Sequence, residues 1–162
     1  MAFKITEKSE LYSLLGKAYW LESQLEGASQ WEAYLLVKEQ KHMDILFKIS
    51  HDSEAHRSII KLLSYHLEGF DVEKAASEIK EERFNFKKMH VEEIMAEIMR
   101  YEMLAHDLYS RILDHTSEDL IKKLWNRKSY EEYFKLMKWL VNQEEGHIKL
   151  LQPYAGKIKR IL

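Results

Sequence analysis

Glu144 and His147 stand three residues apart in the stretch Trp139-Leu140-Val141-Asn142-Gln143-Glu144-Glu145-Gly146-His147-Ile148. Wound as a helix, this region puts Tyr133, Met137, Leu140, Glu144, His147 and Leu151 on one face, because positions three and four apart share a side. That face is apolar apart from one carboxylate and one imidazole. A carboxylate there is costly unless its charge is compensated, and a cation shared with an imidazole one turn along compensates it. Glu-x-x-His on an inward face is thus a candidate metal-ligand pair.

Other stretches repeat the pattern of a polar residue set in an apolar stripe. Ile94, Met95, Ile98, Glu102, Ala105, Tyr109 and Ile112 carry one carboxylate, and Leu46, Ile49, Ser53, His56, Ile60 and Leu63 carry a serine and a histidine. Nearer the N-terminus Leu14, Leu21, Ala28, Trp31 and Leu35 fall at helical spacing with Gln24 as the polar member. A lone histidine on an apolar face is more often a core residue than a ligand. Glu102 on one helix and Glu144 with His147 on another are harder to assign to packing alone. Carboxylate plus imidazole suits ferrous or manganous ions, and bridging carboxylates allow two ions to share a site. Tyr101 and Tyr109 could relay protons near such a site, although core packing is the commoner role of such residues; the four tryptophans and seven methionines read as core or interface.

The elements that must position these residues are helices. One Pro and five Gly in a chain rich in Leu, Glu, Lys and Ile predict an all-α fold. Thr6-Glu7-Lys8-Ser9 opens the first helix. Residues 6–37 form either one helix or two joined near Gly27, with Ser29-Gln-Trp-Glu32 resembling a capping box. The polar run Lys38-Glu39-Gln40-Lys41-His42 predicts a turn, and Gly69 ends the second stripe. Asp71 caps a charged connector over 71–90, read as helical, and Thr116-Ser117 caps a short helix to about Asn126. Ser129-Tyr-Glu-Glu132 is a capping box opening the last helix, which Pro153 ends. The halves repeat loosely, predicting two antiparallel helix pairs joined by a crossover over 70–90.

Composition sets limits. The 162 residues suit one domain over 1–162, with 46% apolar and 32% charged residues as in ordinary globular chains. A formal net charge of −2 favours neither nucleic acid nor an anionic membrane. No apolar run spans a bilayer and no leader pattern opens the chain, which predicts a cytoplasmic location. With no cysteine, disulfides, thiolate nucleophiles and iron–sulfur sites are excluded. No phosphate loop, Ser-His-Asp set or zinc signature is present.

Two segments carry a family likeness. One is Ile49-Ser-His-Asp-Ser-Glu-Ala-His56-Arg-Ser-Ile-Ile; the other is Tyr101-Glu102-Met-Leu-Ala105-His-Asp-Leu-Tyr109 followed by Asn142-Gln-Glu144-Glu-Gly-His147. Through them the whole chain resembles the ferritin-like superfamily, its small rubrerythrin-like members above all. The likeness implies an antiparallel four-helix bundle with a long crossover and additional short helices. In that family the first and third helices each give a bridging Glu, and the second and fourth each give Glu-x-x-His. Carried over residue by residue, Glu102, Glu144, His147 and His56 become the metal ligands. The likeness implies iron, mono- or dinuclear, or manganese, with oxidation of ferrous iron or reduction of peroxide as the activity. Lacking the cysteine-ligated iron domain of rubrerythrins proper, the chain would need an external reductant, and a homodimer is expected on base rates.

The departures fall in the first half. Ser53 stands where the second-helix Glu belongs, and Gln24 stands at the first-helix Glu in the preferred register. These losses favour one good metal position over two. Glu22 or Asp52 could substitute after a modest helix shift, and His106 could add a ligand. A rival register takes Glu39 and His42 as the second-helix pair, with 53–88 as an inserted hairpin. A metal-free bundle serving as a structural or interaction module is the alternative function, and a cage-forming iron store is a third.

Overall fold

A computed structural model describes residues 3–26, 33–80 and 86–155. Four long helices dominate: α1 (Lys8–Glu26), α2 (Gln40–His66), α4 (Val91–His115) and α6 (Glu131–Leu151). Two short helices, α3 (Val72–Ser77) and α5 (Glu118–Leu124), lie in the connections, and a 3₁₀ turn over Gln152–Tyr154 follows α6. Among the described residues the fold is all-α, with only two isolated β-bridges and no strand.

The helix ends show how the chain runs. Ile5, just before α1, bridges Thr116, just after α4: its amide donates to His115 O at 2.7 Å and its carbonyl accepts from Ser117 N at 2.9 Å. Leu67, just past α2, bridges Trp125, which leads towards α6. Tyr12 of α1 stacks on Phe70 at 4.7 Å. One end of the molecule therefore holds the start of α1, the ends of α2 and α4, and the approach to α6. The order is up, down, down, up. α2 and α4 run the same way, so residues 67–90 must return along roughly the 40 Å length of a 27-residue helix. α1 packs along α2 and α4 along α6, while contacts of α1 with α4 and of α2 with α6 close the square.

The second, third and fourth apolar stripes are buried at every position read from the sequence, polar members included. The first stripe is a correction. α1 buries Leu11, Leu15, Ala18, Leu21, Glu22 and Leu25, whereas Leu14 and Gln24 are only half-buried and Leu35 lies exposed beyond the helix. Gly16 explains why α1 is ambiguous. A Cβ built there would meet Ala75 Cβ at 2.7 Å, so α3 lies against a second side of α1. α1 is thus apolar towards both the core and the crossover.

The turn predicted over Lys38–His42 occupies only its first part, because α2 begins at Gln40 with Glu39 as N-cap. The helix predicted over 71–90 is confined among the described residues to α3, where Asp71 accepts from Lys74 N at 3.1 Å. α5 and α6 begin as expected, but neither uses the predicted cap: no side chain of Ser117 or Tyr130 caps the helix, and Ser129 Oγ donates instead to Glu131 at 2.8 Å. Gly27, the Ser29 cap, Ala28 and Trp31 lie outside the described residues; α1 ends at Glu26 and a helical turn forms over 33–36.

Candidate metal centre

Each long helix delivers a polar side chain to the shared interior. Glu22 comes from α1, His56 from α2, Glu102 from α4, and Glu144 with His147 from α6; all are buried. Tight burial along each stripe fixes these positions, since Glu102 is flanked by Ile98 and Ala105, and Glu144 by Leu140 and Leu151.

Both imidazoles turn Nδ1 towards the carboxylates. His56 Nδ1 lies 3.2 Å from Glu22 Oε1 and 2.8 Å from Glu144 Oε1. His147 Nδ1 lies 3.2 Å from Glu102 Oε2 and 3.6 Å from Glu144 Oε2. Glu144 is therefore the carboxylate within reach of both rings, which stack with centroids 5.4 Å apart. On its far side His147 Nε2 meets Asp52 Oδ2 at 2.9 Å, and Asp52 in turn pairs with Lys48 at 2.9 Å. Tyr109 donates its buried hydroxyl to Glu22 Oε1 at 2.7 Å. The half-exposed indole of Trp139 stands edge-on to His56 at 5.6 Å.

The electrostatics follow from this crowding. Burial alone would push His56 and His147 down. The carboxylates overcome it, Glu144 and Glu22 holding His56 up at about 10, and Glu102 and Glu144 holding His147 up at about 11. Burial and the neighbouring Glu144 charge raise Glu102 well above the ordinary carboxylate range. Burial and the Glu22 charge push the Tyr109 phenol up. Asp52 goes the other way: burial opposes it, but His147 and Lys48 bring it down to about 2.

Hydrogen bonding within the cluster is incomplete. Glu22 Oε2, Ser53 Oγ, His56 Nε2, Glu102 Oε1 and both Glu144 oxygens are buried without an aligned partner. Glu144 Oε1, though close to His56 Nδ1, lies off the hydrogen-bonding direction. Buried polar atoms in this number are unusual, and here they are concentrated where four carboxylates face two imidazoles, with Lys48 on Asp52 at the solvent edge. One ligand atom each from His56, Glu144 and His147 lies within 4.8 Å of the others, a spacing that could hold a metal ion. Hard oxygens with imidazole nitrogens suit Fe(II) or Mn(II).

The sequence-predicted set of Glu102, Glu144, His147 and His56 thus comes together in one place. Gln24 does not join it; Glu22, two residues earlier, holds the α1 position. Ser53 faces inward as its stripe predicted, and Asp52 reaches the edge of the cluster beside it. Glu39 and His42 are excluded. They stand at the start of α2, where even the nearer, His42, is fourteen residues or about 21 Å of helix before His56. Glu39 is exposed and paired with Lys41, while His42 packs edge-on to Tyr154. His106 lies 3.8 Å from Glu145 on the outer side and contacts none of the cluster carboxylates. Tyr109, about two turns beyond Glu102 on the same stripe, joins the cluster through its bond to Glu22, a partner that helical spacing does not specify. Comparison with protein-family models, curated proteins and solved structures finds no match to this chain.

Proposed function

We propose that the chain is a ferritin-like, rubrerythrin-like metal-binding bundle that holds iron or manganese through Glu22, Glu102, Glu144, His56 and His147. The observation carrying this reading is the convergence of three glutamates and two histidines from four helices on one dry interior, with Glu144 between the rings and several ligand atoms lacking partners. The up, down, down, up order with its long return is the arrangement the family resemblance implies.

When bound, the ion would supply Lewis acidity and the valence change needed to oxidise ferrous iron or reduce peroxide. The chain's own residues do the rest. Glu144 offers an oxygen to each side. Asp52 fixes His147 through Nε2, leaving Nδ1 turned to the carboxylates, as an outer carboxylate does for a ligating imidazole. Tyr109 holds Glu22 by its hydroxyl. The apolar stripes above and below exclude water. Ser53 contributes a hydroxyl where the family has a carboxylate, which favours one strong metal position over two. An external reductant completes any turnover, because no cysteine is available for an internal electron carrier. No described helix is long and apolar enough to cross a membrane; a cytoplasmic homodimer is part of the proposal.

A second reading draws on the same pairs. His56 and His147, held protonated by their glutamates, partly neutralise the cluster without metal, as a structural descendant of the fold would. Anaerobic reconstitution with ferrous iron, followed by gel filtration and metal analysis, separates the two. The first reading expects about one ion or more per chain, lost in Glu144→Ala. Equal and negligible metal in both proteins supports the second reading and ends the first.

A further inference from the structure

We propose that a groove on the outer side of the α1–α4 seam is a binding site for a small amphiphilic anion, an apolar body bearing one carboxylate or phosphate head. This site is separate from the buried cluster and does not depend on its metal.

The groove encloses about 500 Å³ between α1, the chain just after α3, and α4. Small-molecule sites run from about 300 to 1,000 Å³ and combine apolar walls with a few placed polar groups. Its apolar wall includes Trp20, Leu21 and Leu108, together with Leu104, which is exposed for its size at 44%. Leu104 adds its open apolar surface to this concave wall, and apolar surface gathered in a concave place marks a contact site.

The rim supplies the charge. Lys17, Lys80 and Arg111 line the groove, and none forms an ion pair among the described residues. The contrast among arginines is informative. Arg57, Arg100 and Arg127 hold Glu26, Glu97 and Glu132, whereas Arg111 has no carboxylate. The one acid on the rim, Asp107, is 3.8 Å from His106 and offsets a single positive charge. Three cations against one acid leave a positive excess over an apolar floor. A guanidinium is the preferred partner of planar carboxylate and phosphate groups, and a neighbouring apolar wall requires the ligand to carry hydrocarbon as well. Bare phosphate would leave Leu104 and Leu108 in water, and a neutral hydrocarbon would leave Arg111 unpaired.

The test titrates the full chain with decanoate, decyl phosphate, decanol and inorganic phosphate, following calorimetric heat and the fluorescence change that a Trp20→Phe variant should lose. Decanoate or decyl phosphate should bind saturably, at one site, at least tenfold more tightly than decanol, with inorganic phosphate undetected; whichever head binds better identifies the ligand's source. Arg111→Glu and Leu104→Glu, both at exposed positions and checked for helicity by circular dichroism, should each weaken binding at least tenfold. Equal binding of decanol, binding of phosphate alone, no saturable binding, or variants that bind like the parent would each overturn the assignment.

Discussion

Glu22 and His56, thirty-four residues apart on α1 and α2, meet in the interior with Oε1 3.2 Å from Nδ1 and neither side chain exposed. This contact fixes the rotational setting of α1, because the carboxylate that reaches the cluster is Glu22 and not the amide of Gln24. Glu22→Ala should therefore weaken ferrous or manganous binding by more than about tenfold, since loss of an outer partner alone costs 10–100-fold. Gln24→Ala should leave the metal content unchanged. Metal analysis of both variants after anaerobic loading decides it, and the reverse ranking would remove Glu22 from the site.

Tyr109 donates to that same Glu22 oxygen at 2.7 Å. Tyr109→Phe keeps the ring in its fully buried slot and removes only the donor. A buried acceptor losing such a bond costs about 1–3 kcal/mol. The metal-free variant should unfold at correspondingly lower urea with unchanged helicity. A midpoint equal to the parent's would mean the hydroxyl contributes nothing to holding Glu22.

The contrast between α1 and the other long helices shows what could be read from sequence. In α2, α4 and α6 the apolar residues form a single stripe, so the positions of His56, Glu102, Glu144 and His147 follow from helical spacing alone. α1 offers two overlapping stripes, because it packs on the core by Leu11, Leu15, Ala18 and Glu22, and on α3 through Gly16. Periodicity cannot choose between two buried sides, and the stripe through Leu14, Leu21 and Gln24 has equal spacing. The start of α2 was hidden for a related reason: five polar residues look like a turn, yet Gln40, Lys41 and His42 already belong to the helix, whose first turn is mostly solvated. Asp52 was legible only as a neighbour of Ser53, because its reach across to His147 depends on how close α2 and α6 lie.

The metal-free protein should lose stability as pH rises above neutrality. His56 and His147 titrate near 6.5 when unfolded and are raised to about 10 and 11 in the fold. A raised folded value means the native state binds protons the unfolded chain has released. The contribution is full below about pH 6.5 and disappears as pH passes through 10 to 11. Raised Glu102 acts with the same sign, from the carboxylate range upward. Each differential proton gives a slope of about 1.4 kcal/mol per pH unit. Metal ligation requires these rings to be deprotonated, so metal affinity should rise over the same window. Thermal melts from pH 6 to 9.5, with and without Mn(II), test both signs; metal-free stability that increases with pH would contradict the arrangement.

The last prediction concerns Asp52, which accepts from His147 Nε2 at 2.9 Å while Lys48 holds the same oxygen from the solvent side. The pairing decides which ring nitrogen keeps its proton. With Nε2 engaged by Asp52, Nδ1 is the atom left to face Glu102 and Glu144. Asp52→Asn retains shape and partial exposure but removes the charge, and an amide can present its NH₂ to Nε2 and reverse that preference. Metal affinity should fall by about 10–100-fold, the usual penalty for losing an outer carboxylate. Helicity should not change, because Asp52 lies at the edge of the core. Lys48→Ala, which removes only an exposed partner, should change affinity much less. Nitrogen-15 chemical shifts of the His147 ring, read in the protein loaded with diamagnetic Zn(II), report which nitrogen keeps its proton once the ring is neutral. An unchanged tautomer together with unchanged affinity would reduce Asp52 to a surface residue and leave the orientation of His147 to packing alone.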